Sequence, residues 1–299
     1  MTREAYRHCE LCPRRCGVDR TAGKKGRCGM TDRLLVARAA PHYGEEPCIS
    51  GIRGSGTVFF SGCGLGCGFC QNASISLEGK GEPVSDASAL REIFERLVGL
   101  GVHNLSLVTA TQFLPHILPA LEPRFPVPVV YNTGGYERTE TLRALEKAVD
   151  VWLPDLKYAS PRTAALCSGA PDYFPVALDA ITLMAEMAGP PVLDAEGLLT
   201  RGVMVRHLVL PGHLEESLQV LDALADRFPN GEVLVSLMGQ YTPCGPLAAA
   251  PPFDRGVTAE EYDGALSWME LLGLEGYCQE LTAAGTGEIP AFDGTGVKT

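Results

Sequence analysis

Downstream of Gly56 the chain alternates between two hydrophobic rhythms. Short apolar runs rich in β-branched and aromatic residues fall at 57–61, 104–109, 127–132, 149–156, 202–210 and 232–238. Between and after them lie amphipathic stretches such as 87–98, 139–148, 171–188, 215–227 and 258–272, several opened by a Ser, Thr or Asp suited to capping a helix N-terminus. This alternation predicts parallel strands joined by crossover helices, and six such units predict an α/β fold of the open or partial (β/α)6 barrel kind. In barrels the loops after the C-terminal strand ends converge on one mouth. Polar residues recur at those places: 62–70, 109–112, 132–136, 155–157, 206–207 and 240–241. Any one of them alone reads equally well as an ordinary turn or cap residue.

Residues 1–50 have a different texture, with Cys, Gly and Arg, little periodicity, and turn signals at Ala22-Gly23 and Lys25-Gly26. They predict a small metal-clasped segment ahead of a barrel over 51–280. The tail, 281–299, carries Gly285, Gly287, Gly294 and Gly296 without a period and is expected to be irregular.

Composition narrows the setting. A chain of 299 residues that is 45% hydrophobic can bury a barrel-sized core. Its formal charge of -11, with no basic block beyond Arg14-Arg15 and Lys24-Lys25, argues against nucleic acid as a partner. Residues 1–8 are polar, and no stretch of about 18 apolar residues occurs, so neither export nor membrane insertion is expected and a cytoplasmic location is. Eleven cysteines without an export signal point to metal or redox chemistry, not to disulfides. Eight of them lie at 9, 12, 16, 28, 48, 63, 67 and 70, so that chemistry is concentrated early in the chain.

Directly after the first run comes Ser61-Gly62-Cys63-Gly64-Leu65-Gly66-Cys67-Gly68-Phe69-Cys70-Gln71-Asn72, with C-x3-C-x2-C spacing. Three thiolates on a glycine-rich loop can wrap one corner of a [4Fe-4S] cubane. Since cubanes ordinarily take four cysteines, one iron stays open for a non-protein ligand. The competing reading, a zinc loop, needs a fourth ligand and leaves the β/α framework unexplained.

At these residues the chain resembles the radical S-adenosylmethionine (SAM) superfamily, and within it the branch related to the pyruvate formate-lyase activating enzyme. Further marks are Glu45-Glu46-Pro47, Val108-Thr109-Ala110-Thr111-Gln112-Phe113-Leu114-Pro115, Tyr131-Asn132-Thr133-Gly134-Gly135-Tyr136, Leu153-Pro154-Asp155-Leu156-Lys157-Tyr158 and Arg206-His207-Leu208-Val209-Leu210-Pro211-Gly212. The resemblance implies a [4Fe-4S] cluster on Cys63, Cys67 and Cys70 with SAM on its open iron, Phe69 near the adenine, and an external one-electron donor of the flavodoxin or ferredoxin type. It places Thr109, Thr111 and Gln112 at the SAM amino group, although the superfamily's glutamate is absent and Gln112 stands where relatives usually carry His. Asn132 and Thr133 would face the ribose or methionine end. Lys157 would contact SAM, with Asp155 beside it, the alternative being an ion pair between residues two apart on a strand. Arg206 would fork onto the SAM carboxylate, whereas its neighbour His207 is expected on the opposite face. Gln240 and Tyr241 are candidates for the substrate side. The implied activity is radical formation and hydrogen abstraction, from a glycyl-radical protein, another peptide or a small metabolite. A non-catalytic iron-sulfur sensor is the reading from a different class.

Cys9, Cys12, Cys16 and Cys28 form a second set with C-x2-C-x3-C-x11-C spacing. Two readings stay open, a four-cysteine zinc knuckle or an auxiliary iron-sulfur cluster, with Cys48 as a replacement ligand.

Overall fold

The computed structural model describes residues 1–279, 281 and 290–297. Its strands are β1 (Leu35–His42), β2 (Ser55–Phe60), β3 (Glu82–Pro83), β4 (Leu105–Val108), β5 (Val129–Thr133), β6 (Val151–Pro154), β7 (Val192–Leu193), β8 (Leu199–Leu208), β9 (Leu234–Met238) and β10 (Gly276–Cys278). They build one open sheet in the order β10-β9-β8-β6-β5-β4-β2-β1-β3, with β7 paired to β8 off that path. From β2 to β10 all neighbours are parallel and follow chain order, which is the winding of a partial α/β barrel. β1 is antiparallel to β2 and carries β3 antiparallel on its far side. The six predicted strands are therefore present. The short parallel β10 was not expected. Nor was β1, which lies inside the stretch read as metal-clasped and whose Ala-rich sequence carries little β signal.

The helices are α1 (Pro47–Ser50), α2 (Ala73–Ser76), α3 (Ala87–Gly99), α4 (Leu114–Ala120), α5 (Thr139–Arg143), α6 (Pro161–Ser168), α7 (Tyr173–Ala188), α8 (Leu214–Arg227) and α9 (Ala259–Leu271). α3 shows why these stretches fold as they do: Leu90, Ile93, Phe94 and Leu97 recur at helical spacing and are buried. Asp86 caps it by accepting from the Ala89 amide, Ser160 caps α6, and Thr258 with Glu261 forms a capping box on α9. Each cap is worth about 1 kcal/mol. Among the described residues no helix is long and apolar enough to cross a membrane. Of the tail, residues 290–297 have no helix or strand and run beside β1, where Thr295 accepts from the Ala39 amide and Gly294 donates to the Ala37 carbonyl. Gly285 and Gly287 lie outside the described residues.

Strand alternation divides the sheet into two chemistries. Tyr131, Trp152, Val203 and Val205 face the helices and share a core with Phe94, Phe113, Ile181 and Leu221. The other face carries Val130, Val151, Leu153 and Met204, closed over by Cys48 and Ile49 of α1. Cys48 is thus a packing residue on this apolar floor, and the expectation that it might substitute in the N-terminal cysteine set is corrected. Two residues further along the same strand faces stand Asn132, Asp155 and Arg206. The inner face is apolar at its base and polar at its mouth.

Candidate active site at the mouth of the sheet

The loop after β2 turns at Gly62, whose φ is +79° and whose imagined Cβ would lie 2.5 Å from the Cys28 carbonyl oxygen. Only glycine fits there, because the loop runs against the N-terminal segment. Gly62 donates to the Ile75 carbonyl and Gly68 to that of Cys167, fixing both ends of the loop. Cys63, Cys67 and Cys70 then line one cavity of about 250 Å³, together with Phe69, Asn132, Asp155, Lys157 and Arg206. Two of the three sulfurs accept hydroxyl hydrogen bonds. Ser168 donates to Cys67 Sγ at 3.2 Å and Tyr158 at 3.5 Å, while Ser76 donates to Cys70 Sγ at 3.2 Å. Burial, reinforced by the neighbouring sulfur of Cys67, pushes the Cys63 thiol up to about 12. As a thiolate, Cys63 would need positive charge beside it. Phe69 forms one wall, stacked on Phe253 at 6.3 Å between centroids and edge-on to Tyr158 at 6.1 Å.

Opposite the cysteines the strand ends carry a closed polar network. Arg206 donates from Nε to Asp155 Oδ1 at 2.9 Å, from Nη1 to Glu45 Oε2 at 3.1 Å, and from Nη2 to Asn132 Oδ1 at 2.6 Å. Lys157 Nζ holds the other Asp155 oxygen at 2.5 Å, and Asn132 Nδ2 donates to Glu45 Oε1 at 3.1 Å. Asp155 and Lys157 do project to one side, as alternation predicted. Burial opposes charge on Asp155, but the Arg206 and Lys157 cations prevail and hold its carboxyl below the ordinary range. Glu45 answers differently: burial pushes it up to about 7 in spite of Arg206. In the sequence Glu45 stands only within the Glu45-Glu46-Pro47 motif, with nothing to mark it as a member of the site. No local signal could add it, since it reaches Arg206 across 161 residues of chain.

Four polar atoms around this cavity are buried without a partner among the described residues: Glu46 Oε2, Asn72 Oδ1, Gln240 Oε1 and Gln279 Oε1. All are acceptors. A buried unmade hydrogen bond costs about 1–3 kcal/mol, so the cavity favours a ligand that brings donors. Tyr241 also lines it, with its hydroxyl donated to the Phe253 carbonyl. Thr109 and Thr133 border it too, Thr109 with a left-handed φ of +56° that a β-branched residue rarely adopts.

Thr111 and Gln112 lie elsewhere. Both line a smaller cavity, of about 40 Å³, between the Cys63 loop and the N-terminal segment. Gln112 Nε2 donates to the carbonyls of Ser61, Gly62 and Thr109, so its side chain fastens the cysteine loop from behind. Thr111 donates to Glu137 Oε1 at 2.6 Å, as does Thr133 at 2.5 Å. Cys9, Cys12, Cys16 and Cys28 line the same small cavity.

His207 points to the helix side, its Nδ1 2.7 Å from the Leu156 carbonyl, and burial pushes it down to about 4. Its folded value lies below its unfolded one, so acid favours unfolding: nothing is lost above about pH 6.5, and stability then falls by about 1.4 kcal/mol per pH unit until about pH 4. Urea unfolding of the wild type is expected to lose about 1.4 kcal/mol more than His207→Gln between pH 7.5 and 5.5. Parallel pH slopes for the two proteins would contradict this.

No known protein-family profile matches the chain. An uncharacterized protein of Methanocaldococcus jannaschii is 26% identical over 285 residues, which span 92% of this chain and 78% of that one. Among solved structures, the chain is similar to Streptococcus suis SuiB bound to S-adenosylmethionine, at 12% identity and a TM-score of 0.49, over 73% of this chain and 48% of that one. It is also similar to a radical SAM methyltransferase from Sphaerobacter thermophilus, at 14% identity and a TM-score of 0.49, over 78% and 69%. The chain thus spans about half the length of the SuiB protein it matches.

Proposed function

We propose that this protein is a radical SAM enzyme, with a [4Fe-4S] cluster on Cys63, Cys67 and Cys70 and SAM between that cluster and the Arg206 network. The observation that carries the reading is the placement of three cysteines of one loop beside paired cations and buried acceptors around a single cavity. The donor set fits the group: three sulfurs suit a cubane with one iron left open. The orphan acceptors fit SAM, which brings an ammonium, an adenine amine and ribose hydroxyls as donors. When bound, cluster and SAM together supply reductive cleavage of the sulfonium to methionine and a 5'-deoxyadenosyl radical that takes a hydrogen atom from the substrate.

The chain's own residues bind and orient. Ser168, Tyr158 and Ser76 direct hydroxyls at the sulfurs and so tune their charge. Lys157 and Arg206 supply positive charge for a ligand carboxylate, and Glu45 and Asp155 keep those cations paired until it arrives. The Phe69 ring, backed by Tyr158 and Phe253, offers an apolar wall for a purine and excludes water. For the substrate we favour a glycyl-radical protein or another peptide segment. The motif resemblance supports it, as does an open sheet whose end strands β10 and β3 do not pair with each other.

The test is anaerobic. Protein reconstituted with iron and sulfide, then given SAM and dithionite, is expected to release 5'-deoxyadenosine. Full cluster loading without that product would leave the sensor reading in its place. Deuterium transfer from labelled candidates into the product would separate a peptide substrate from a small metabolite.

A further inference from the structure

The Arg206 guanidinium has an acceptor at each of its three nitrogens. Asp155 Oδ1 takes Nε, Glu45 Oε2 takes Nη1 and Asn132 Oδ1 takes Nη2. Both edges of the fork are therefore in use, one shared by Asp155 and Asn132, the other by Glu45 and Asn132. The second pair is itself tied together, since the Asn132 amide group donates to Glu45 Oε1 at 3.1 Å. A ligand carboxylate that engages the fork in the two-point manner has to take the place of one of these acceptors.

The three are not equally easy to dislodge. Asn132 lies within β5, paired to β4 on one side and β6 on the other. Asp155 continues β6: its amide donates to the Thr133 carbonyl, its backbone bridges to that of Arg206, and its second carboxylate oxygen keeps Lys157. Glu45 alone stands off the sheet. It lies in the link between β1 and α1, where residues 43–46 have no helix or strand and the neighbouring Tyr43 is exposed. Its amide is tied to a side chain, the Ser50 hydroxyl, not to a strand.

An ionised Glu45 that left Arg206 would be stranded among negative charges. The charged groups around it are Glu46 at the start of α1, Asp155 and Lys157 after β6 and Arg206 of β8, with His42 of β1 lining the same cavity. Glu46 and Asp155 repel it, and Lys157 is engaged by Asp155. Burial favours a protonated Glu45 even with Arg206 in contact, and losing that contact favours it further. Protonation removes both the repulsion and the cost of a buried charge.

We propose that Glu45 is a resident stand-in for the ligand carboxylate: the SAM carboxylate takes its place on Arg206, and Glu45 turns away carrying a proton taken from solvent. This rests on the radical SAM reading and adds that SAM binding is coupled to proton uptake at one residue. Glu45 is a positioning residue that acts through Arg206, holding the fork in line before SAM arrives and, once neutral, no longer competing for it.

Equilibrium dialysis of SAM against the reconstituted protein, from pH 6 to 8.5, tests this with wild type and Glu45→Gln. Both proteins share the titration of SAM's own amine, so the ratio of their Kd values reports Glu45. Burial pushes Glu45 up to about 7, so it is already protonated at pH 6 and ionised at pH 8.5. Wild-type binding is penalised only at the higher pH, and the ratio of wild-type to variant Kd should rise about 10- to 30-fold across the range. A flat ratio while both proteins bind SAM would overturn this inference and leave the radical SAM reading standing. No SAM binding by either protein at any pH would overturn both. Should Glu45→Gln fail to fold, the wild type decides alone. At pH 8, SAM should raise a protonated-carboxyl band in infrared difference spectra, and 5'-methylthioadenosine, which has no carboxylate, should not. No such band with SAM, or the same band with both compounds, would overturn the proposal.

Discussion

Alanine at Cys67 is expected to abolish 5'-deoxyadenosine formation by the reduced, reconstituted protein while leaving the fold in place. Two remaining sulfurs on one loop cannot hold a cubane that needs at least three. The substitution is structurally mild for a reason visible in the packing. Ser168 and Tyr158, which both lie within donating distance of the lost sulfur, stand 2.6 Å from each other, so one hydroxyl can donate to the other and only a single hydroxyl proton loses its acceptor. The loss in urea unfolding should stay near 1 kcal/mol, the scale of a small cavity. Ser168→Ala keeps all three ligands but removes a hydrogen bond behind one of them, and is expected to weaken cluster retention about 10- to 100-fold under chelator challenge. Wild-type product yield from Cys67→Ala would remove this cysteine from the site.

Arg206→Ala has the largest expected effect on the protein itself. It would leave Glu45 and Asp155 facing each other at the mouth, Asp155 with Lys157 alone and Glu45 with only the Asn132 amide. Breaking a buried ion pair from one side typically destabilises by about 3–5 kcal/mol. Urea unfolding of Arg206→Ala should fall in that range, and SAM binding by equilibrium dialysis should be lost. Arg206→Lys restores the charge but not the fork that reaches three partners at once, and should recover only part of either quantity. A loss below about 1 kcal/mol in Arg206→Ala would mean that water, not Arg206, satisfies the two carboxylates.

The strands and the cysteine loop were legible because their signals are local: short continuous apolar runs rich in β-branched and aromatic residues, glycines at turns, thiols at fixed spacing. What escaped was assembled from distant parts. Glu45 joins the rim only because β1 and α1 fold the preceding segment over the strand ends, and β1 itself has few β-branched residues. Glu137 sits in Tyr136-Glu137-Arg138-Thr139-Glu140, a stretch that reads as solvated, yet its carboxylate is buried beneath Thr111 and Thr133. Arg14 and Arg20 carried no hint that they would clamp the N-terminal segment to the loop, Arg14 through the Gly64 and Leu65 carbonyls and Arg20 through that of Gln112. α4 and α6 were obscured by Pro115, Pro119 and Pro161, which sequence patterns treat as breakers although Pro115 and Pro161 occupy first turns, where proline is tolerated. Gln112 followed its motif into the wrong cavity: one turn after β4 the chain has already curled behind the loop.

The central claim is that one iron of the mouth cluster is left free by the protein and taken by SAM. Pulsed ENDOR on the reduced protein, with nitrogen-15 in the methionyl amine of SAM, tests it most directly. The account predicts a resolved nitrogen coupling that vanishes when SAM is omitted and in Cys63→Ala. A reduced cubane showing no such coupling at saturating SAM would contradict it.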